Sequence, residues 1–262
     1  MHAFLFAIAA LGGALNAVAG GGSFLTLPAL LYAGVGPVAA NATSTLAMWP
    51  ASVASAVAYR REIAPVRQWL VVLGGISLIG GLIGGELLVK TSDTRFVTLL
   101  PWLLLAAVAT FTFGGRVTDL IRQRQARRVT APGPVSVLPA RRALFRPPPW
   151  MVVLQLVIAV YGGYFGGGMG IMMLAALSIA GMTNNHQMNG LKSILAVAIN
   201  GVALVAFIAD DAIAWGPGLV MVAGGITGGY LGAALARRGG AAAVNRFVLV
   251  IGWAMTAYFF VR

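Results

Sequence analysis

Cysteine does not occur in this 262-residue chain, which excludes disulfide staples and thiolate metal sites. Histidine occurs twice, at His2 and His186, too sparsely for an imidazole-built metal centre, and no cofactor is expected. Acidic residues are scarce as well, six against eighteen Lys and Arg. An enzyme inside the membrane would need a nucleophile with its base, or a cluster of carboxylates or histidines. The few ionisable residues within apolar runs are spread apart, so a non-enzyme is expected.

Charge of any sign makes up only 9% of residues, whereas 59% are hydrophobic, 35 are glycine and mean hydropathy is +0.89. That composition lies far outside the range of a soluble domain and reads as an all-α polytopic membrane protein. The net charge of +12 would suggest nucleic acid in a soluble chain. Here the arginines stand between apolar runs, so they read as topology signals facing the cytoplasm and anionic lipid, with no nucleic-acid partner. Residues 1–20 end in Ala17-Val18-Ala19, a pattern like a signal-peptidase site. No Lys or Arg precedes the apolar run, and the site abuts a glycine run that recurs later, so the segment is expected to be retained.

Apolar segments fall at 3–33, 43–59, 68–89 and 96–115, then at 150–180, 189–209, 213–236 and 244–261. An Arg- and Pro-rich linker, 116–149, separates the two sets. The division expected is a first transmembrane repeat at 1–115, a cytoplasmic linker, and a second repeat at 150–262. Internal echoes support duplication. Gly20-Gly21-Gly22 answers Gly166-Gly167-Gly168, Asn41 answers Asn189, and Ser52 answers Asn200. Gly80 and Gly84 answer Gly228 and Gly232, and Arg95-Phe96-Val97 before Trp102 answers Arg246-Phe247-Val248 before Trp253.

Three consecutive glycines are poor helix, each costing roughly 1 kcal/mol against alanine. Both triplets therefore read as breaks inside membrane helices, each followed by a polar loop that leads into the next apolar segment. Segments 3–33 and 150–180 hold 31 residues each, too many for one crossing of ~20 and too few for two of ~40. A hairpin of short arms fits and returns the chain to the side it came from. With the linker in the cytoplasm, counting hairpins outward puts Arg60, Arg61, Arg67, Arg237, Arg238 and Arg246 inside and Asp210 and Asp211 outside. The expectation is two inverted repeats, each a broken helix or hairpin plus three transmembrane helices, with both termini outside.

Broken membrane helices are tolerated where their freed backbone groups meet protein, water or a ligand, and half-helix N-termini favour anions. The breaks are thus the default site for a small anionic substrate. The candidate substrate-binding residues are Gly21, Gly22, Ser23, Asn41, Thr43, Ser44 and Ser52 in the first half. Gly167, Gly168, Asn189, Lys192, Ser193 and Asn200 are their counterparts in the second. Lys192 stands out as a membrane cation with no acid near it in sequence, suited to neutralising a substrate or to snorkelling from a helix end. His186 and Glu86 are the titratable candidates for proton coupling, although Glu86 is also spaced for an i,i+4 ion pair with Lys90. Glycine pairs such as Gly80/Gly84 and Gly228/Gly232 read as close-packing sites.

Ala17 to Thr45, AVAGGGSFLTLPALLYAGVGPVAANATST, with Gly162 to Leu177, GGYFGGGMGIMMLAAL, and the Arg-Phe-Val…Trp echo together resemble the TauE/SafE sulfite-exporter family, also called 4-toluene sulfonate uptake permeases. The resemblance implies a bacterial inner-membrane permease, a secondary transporter that moves sulfite, sulfoacetate or another organosulfonate without ATP hydrolysis, with export as the expected direction. It spans both halves and leaves out the linker. Where relatives carry Gly-Thr-Ser, this chain has Asn189-Gly190-Leu191-Lys192-Ser193, an added cation that bears on which anion is taken. A permease for a carboxylate and a non-transport assembly or sensor subunit remain the alternatives from sequence.

Overall fold

A computed structural model describes residues 1–18, 21–129, 146–236 and 241–261. Every regular element among them is helical: α1 His2–Val18, α2 Ser23–Tyr32, α3 Pro37–Ala58, a 3-10 stretch Arg60–Val66, α4 Arg67–Val89 and α5 Asp93–Val129. The second half supplies α6 Pro149–Tyr164, α7 Met169–Ile179, α8 Asn185–Ala209, α9 Trp215–Ala236 and α10 Ala241–Val261. Among the described residues, three helical segments are long and apolar enough to cross a membrane: Arg60–Val89, Asp93–Gly114 and Asn185–Ala209.

Both long apolar segments split at their glycine triplets. Gly20 lies outside the described residues; Gly21 and Gly22 separate α1 from α2, and Gly166 to Gly168 separate α6 from α7. The second break needs glycine at two points, since Gly166 and Gly168 hold φ of +81° and +78°, where a Cβ would be strained. Each short helix doubles back beside its predecessor. The ring of Phe4, near the start of α1, meets that of Tyr32, at the end of α2, edge-on at 5.8 Å. Gln155 of α6 likewise reaches Met173 of α7, Nε2 to Sδ at 3.7 Å.

Both short helices end alike. Gly34 and Gly181 adopt φ of +84° and +96°, and the next amides, Val35 and Met182, bond back to Leu30 O and Leu177 O, each at 3.0 Å. These are Schellman turns, in which the left-handed glycine satisfies the last carbonyls of a helix. The polar stretches expected as loops are instead the first turns of α3 and α8. Pro37 starts α3 at a position where its missing N–H costs nothing. Asn184 caps α8, its Oδ1 accepting from the amides of His186 and Gln187 at 3.0 and 3.2 Å. α5 runs past residue 115 to Val129. Arg, Gln, Ala and Leu there are good helix formers; residues 130–145 lie outside the described residues.

The two halves pack reciprocally. α1 lies on α9 as α6 lies on α4, α3 touches α9 as α8 touches α4, and α5 meets α7 as α10 meets α2. Glycine makes the tightest of these contacts possible. Cβ atoms placed on Gly80 and Gly84 would run into Leu156 O and Val160 O of α6, and on Gly224 and Gly228 into Phe6 O and Ala10 O of α1. The regular four-residue advance on both partners makes each of these pairs parallel. α3 and α8 are antiparallel: Trp49 meets Val197 and Gly201, Ser55 meets Ser193, and Tyr59 meets Gly190. Apolar side chains fill two cores on either side of this crossing. One is built around Phe24, Leu27, Leu100, Leu104 and Phe207, the other around Trp69, Leu73, Met173, Leu191 and Leu195.

Candidate functional site

Where α3 and α8 cross, each turns a stripe with helical spacing toward the other. On α3 the stripe is Thr45, Met48, Ser52 and Ser55; on α8 it is Ser193, Ala196 and Asn200, with Lys192 beside it. The same 148 positions separate Thr45 from Ser193, Met48 from Ala196 and Ser52 from Asn200. Between the stripes is a cavity of about 60 Å³, closed by Asn16 of α1, Ser23 at the start of α2, and Gly166, Met169 and Gly170 around the start of α7. A water needs roughly 10–15 Å³ of such space, so the cavity holds a few waters or one small oxyanion. Two larger concavities, of about 740 and 910 Å³, are walled mainly by apolar side chains and hold no comparable collection of polar groups.

The polar atoms around the cavity are only loosely committed. Asn16 Nδ2 donates to Ser52 Oγ at a long 3.4 Å, and the Ser52 hydroxyl turns to Met48 O of its own helix, also at 3.4 Å. Ser55 Oγ and Ser193 Oγ share a 3.1 Å bond across the two halves. Asn200, 8% exposed, buries its Oδ1 without a hydrogen-bond partner among the described residues. Lys192 is partly buried, and its stem runs over Gly170, where an added Cβ would stand 3.3 Å from Lys192 Cδ. Among the described residues its ammonium has no carboxylate partner, and the cavity wall contains none.

Backbone adds to the same field. Hydrogen bonding into α7 begins with Ile171 and Met172 on Gly168 O, which leaves the amides of Met169 and Gly170 at the open end of the helix beside the cavity. Ser23 brings the start of α2 to the opposite wall. Helix N-termini carry partial positive charge, so two of them and the Lys192 side chain border one small volume. Such a field favours an anion. The second break is held in shape by Tyr161, whose hydroxyl lies 2.8 Å from Gly167 O and 3.2 Å from Leu103 O of α5.

The sequence profile described as "Sulfite exporter TauE/SafE" matches residues 5–259. The chain belongs to the TauE/SafE family. A Haemophilus influenzae relative named "Probable membrane transporter protein" is 30% identical over 258 residues, covering 97% of this chain and 92% of the relative. "Probable membrane transporter protein ORF9" of a Sinorhizobium species is 27% identical, with coverages of 97% and 90%. "Probable membrane transporter protein YfcA" of Escherichia coli K12 is 24% identical, with 97% and 87%. No solved structure matches this chain.

Of the residues singled out from sequence, the TauE/SafE chain gathers Ser23, Ser52, Lys192, Ser193 and Asn200 around the cavity. The others have different surroundings. Asn41 is 1% exposed and donates to Tyr164 O, the last carbonyl of α6, at 2.9 Å. Thr43 Oγ1 accepts from Ala214 N at 3.0 Å, just before α9, and Ser44 shares a 2.6 Å bond with Thr26. Gly22 supplies the carbonyl to which Thr26 Oγ1 donates, and Gly21 is buried beside it in the first break. Gly167 bonds Tyr161 as described, and Gly168 caps α7 against Ala107. Asn189 donates to Asn185 O within α8, and His186 is exposed, its ring 6.4 Å from that of Tyr59. Glu86 sits on an exposed face, 2.8 Å from Lys90, and that hydrogen bond raises the lysine's pKa above its ordinary value.

Ser55 and Gly170 were missed. Ser55 completes the three-and-four spacing of Thr45, Met48 and Ser52, a signal present in the sequence; Gly170 had none, because only the packing of Lys192 against it gives it a role.

Proposed function

We propose that this protein is a secondary transporter of a small sulfur oxyanion, sulfite or a compact organosulfonate, working as an exporter by alternating access around the cavity between α3 and α8. The observation that carries the reading is the convergence of Lys192, two helix N-termini and the donors of Ser23, Ser52, Ser193 and Asn200 on one cavity without an acidic wall. A trioxoanion presents acceptor oxygens on every side and fits such a set of donors. The family's description as a sulfite exporter supports the class of anion and the direction.

An inverted repeat is supported by three features together. Both glycine-broken segments double back, the equivalent helices α3 and α8 run antiparallel, and α1 with α9 and α6 with α4 form equivalent parallel pairs. Rocking of one half against the other would then open the same cavity to either side in turn. The chain is placed by this reading in a bacterial inner membrane, with the linker cytoplasmic and both termini outside.

The test is binding and flux by the purified chain. Sulfite should raise its thermal midpoint in detergent and move across proteoliposomes carrying it. Lys192→Ala should weaken sulfite binding by about 10- to 100-fold, the range for losing a charge-assisted contact. Absence of both sulfite binding and sulfite flux in the unmodified protein would sink the proposal.

A further inference from the structure

We infer that the protein is an obligatory anion exchanger: an anion must occupy the cavity for the halves to re-orient in either direction, so one anion returns for each that leaves. This rests on the transporter reading above and adds its coupling mode. Lys192 lines a cavity to which both halves contribute walls, so closing that cavity in either orientation strips water from its ammonium. A buried charge that lacks its partner is among the costliest arrangements a protein can adopt.

A carrier that returns empty with this lysine charged needs a resident carboxylate to cover the cation. None stands near it among the described residues. Glu86 is engaged with Lys90 on an exposed face, and Asp93 Oδ1 accepts the amide of Val38 at the start of α3, at 3.0 Å. Asp210 and Asp211 follow the far end of α8, about 27 Å from Lys192 at ~1.5 Å per residue. Glu62 is exposed on the 3-10 stretch and makes no ion pair with Lys192. The N-termini of α2 and α7 add charge of the same sign as the ammonium, so they deepen the deficit that only the solute fills. Nor is the cation required by the fold: the equivalent position in the first half is Ser44, which is satisfied by Thr26.

The experiment uses proteoliposomes loaded with [35S]sulfite, potassium and valinomycin holding the membrane potential constant. Efflux is followed into buffer with unlabelled sulfite and into buffer whose only anion is gluconate. External sulfite should accelerate efflux about 100-fold, the scale set by leaving one buried charge uncovered. Lys192→Met should bring the two rates together whatever their absolute size, and Lys192→Arg should keep them apart. Equal rates in the unmodified protein overturn the inference and leave the transporter reading standing. A Lys192→Met variant that keeps the unmodified ratio also overturns it. No movement of label under either condition overturns the transporter reading and the inference with it.

Discussion

Gly75 and Gly84 stand on the same helix, and replacing each by alanine should move stability in opposite directions. In α4, Gly75 is exposed, and a Cβ built on it meets nothing within 4 Å. Gly75→Ala therefore brings only the helix-propensity gain, roughly 0.5–1 kcal/mol. At Gly84 the same Cβ overlaps Val160 O and stands 2.7 Å from Tyr164 N and 2.9 Å from Gly163 C, all backbone of α6. Backbone in the middle of a helix cannot step aside alone, so α4 and α6 must separate. Overpacking of this kind costs about 1–3 kcal/mol. At roughly 2–4 °C per kcal/mol for a chain of this size, Gly84→Ala should lower the thermal midpoint by about 2–12 °C. The assay is thermal unfolding of the purified variants in one detergent, followed by loss of the monodisperse peak in size-exclusion chromatography. A Gly84→Ala protein as stable as the unmodified one would refute the parallel, glycine-mediated contact of α4 with α6.

Tyr161→Phe removes the hydroxyl that lies 2.8 Å from Gly167 O; the fold should survive while sulfite affinity falls about 5- to 30-fold, the equivalent of ~1–2 kcal/mol. Calorimetric titration with sulfite measures it, and unchanged affinity would remove the tyrosine from any part in shaping the second break. Gly168→Ala forces a side chain to φ of +78° and to 3.1 Å from Ala107 Cβ, whereas Gly34→Ala, at φ of +84°, meets nothing within 4 Å. Both should lose ~1–2 kcal/mol of stability to left-handed strain, and Gly168→Ala should lose measurably more in the same melting assay. Glu86→Gln breaks only an exposed ion pair, so it should cost less than ~1 kcal/mol and leave the pH profile of flux unaltered; a displaced profile would bring Glu86 into the transport cycle.

The helix breaks were legible in the sequence because three glycines in an apolar run leave little choice of conformation. The packing role of Gly80, Gly84 and Gly228 was legible for a related reason, since small residues four apart mark a face that admits a neighbour. Polar residues were harder to sort. Ser52 and Asn200 reach the cavity, but Asn41, equally polar and equally well echoed by Asn189, spends its amide on the carbonyl of Tyr164. Only tertiary structure brings residues 41 and 164 together, so sequence could not separate the two roles. The supposed loops failed for a local reason. Polarity near Asn41 and Asn184 does not mark an absence of helix, because Asn184 is a capping residue and Pro37 a first-turn residue, both marks of a helix beginning. Hydrophobicity marked the apolar part of α5 but not its length, since the helix continues to Val129 through charged residues.

At the crossing of α3 and α8, the indole Nε1 of Trp49 donates to Val197 O at 3.1 Å, and Val197 is the residue that corresponds to Trp49 in the other half. Valine has no group to return the gesture. Two identical halves would leave a rocking molecule resting equally in both of its postures, like an evenly loaded seesaw. If the halves rock as proposed, a bond that only one side can make tips the beam and gives the pivot a resting preference.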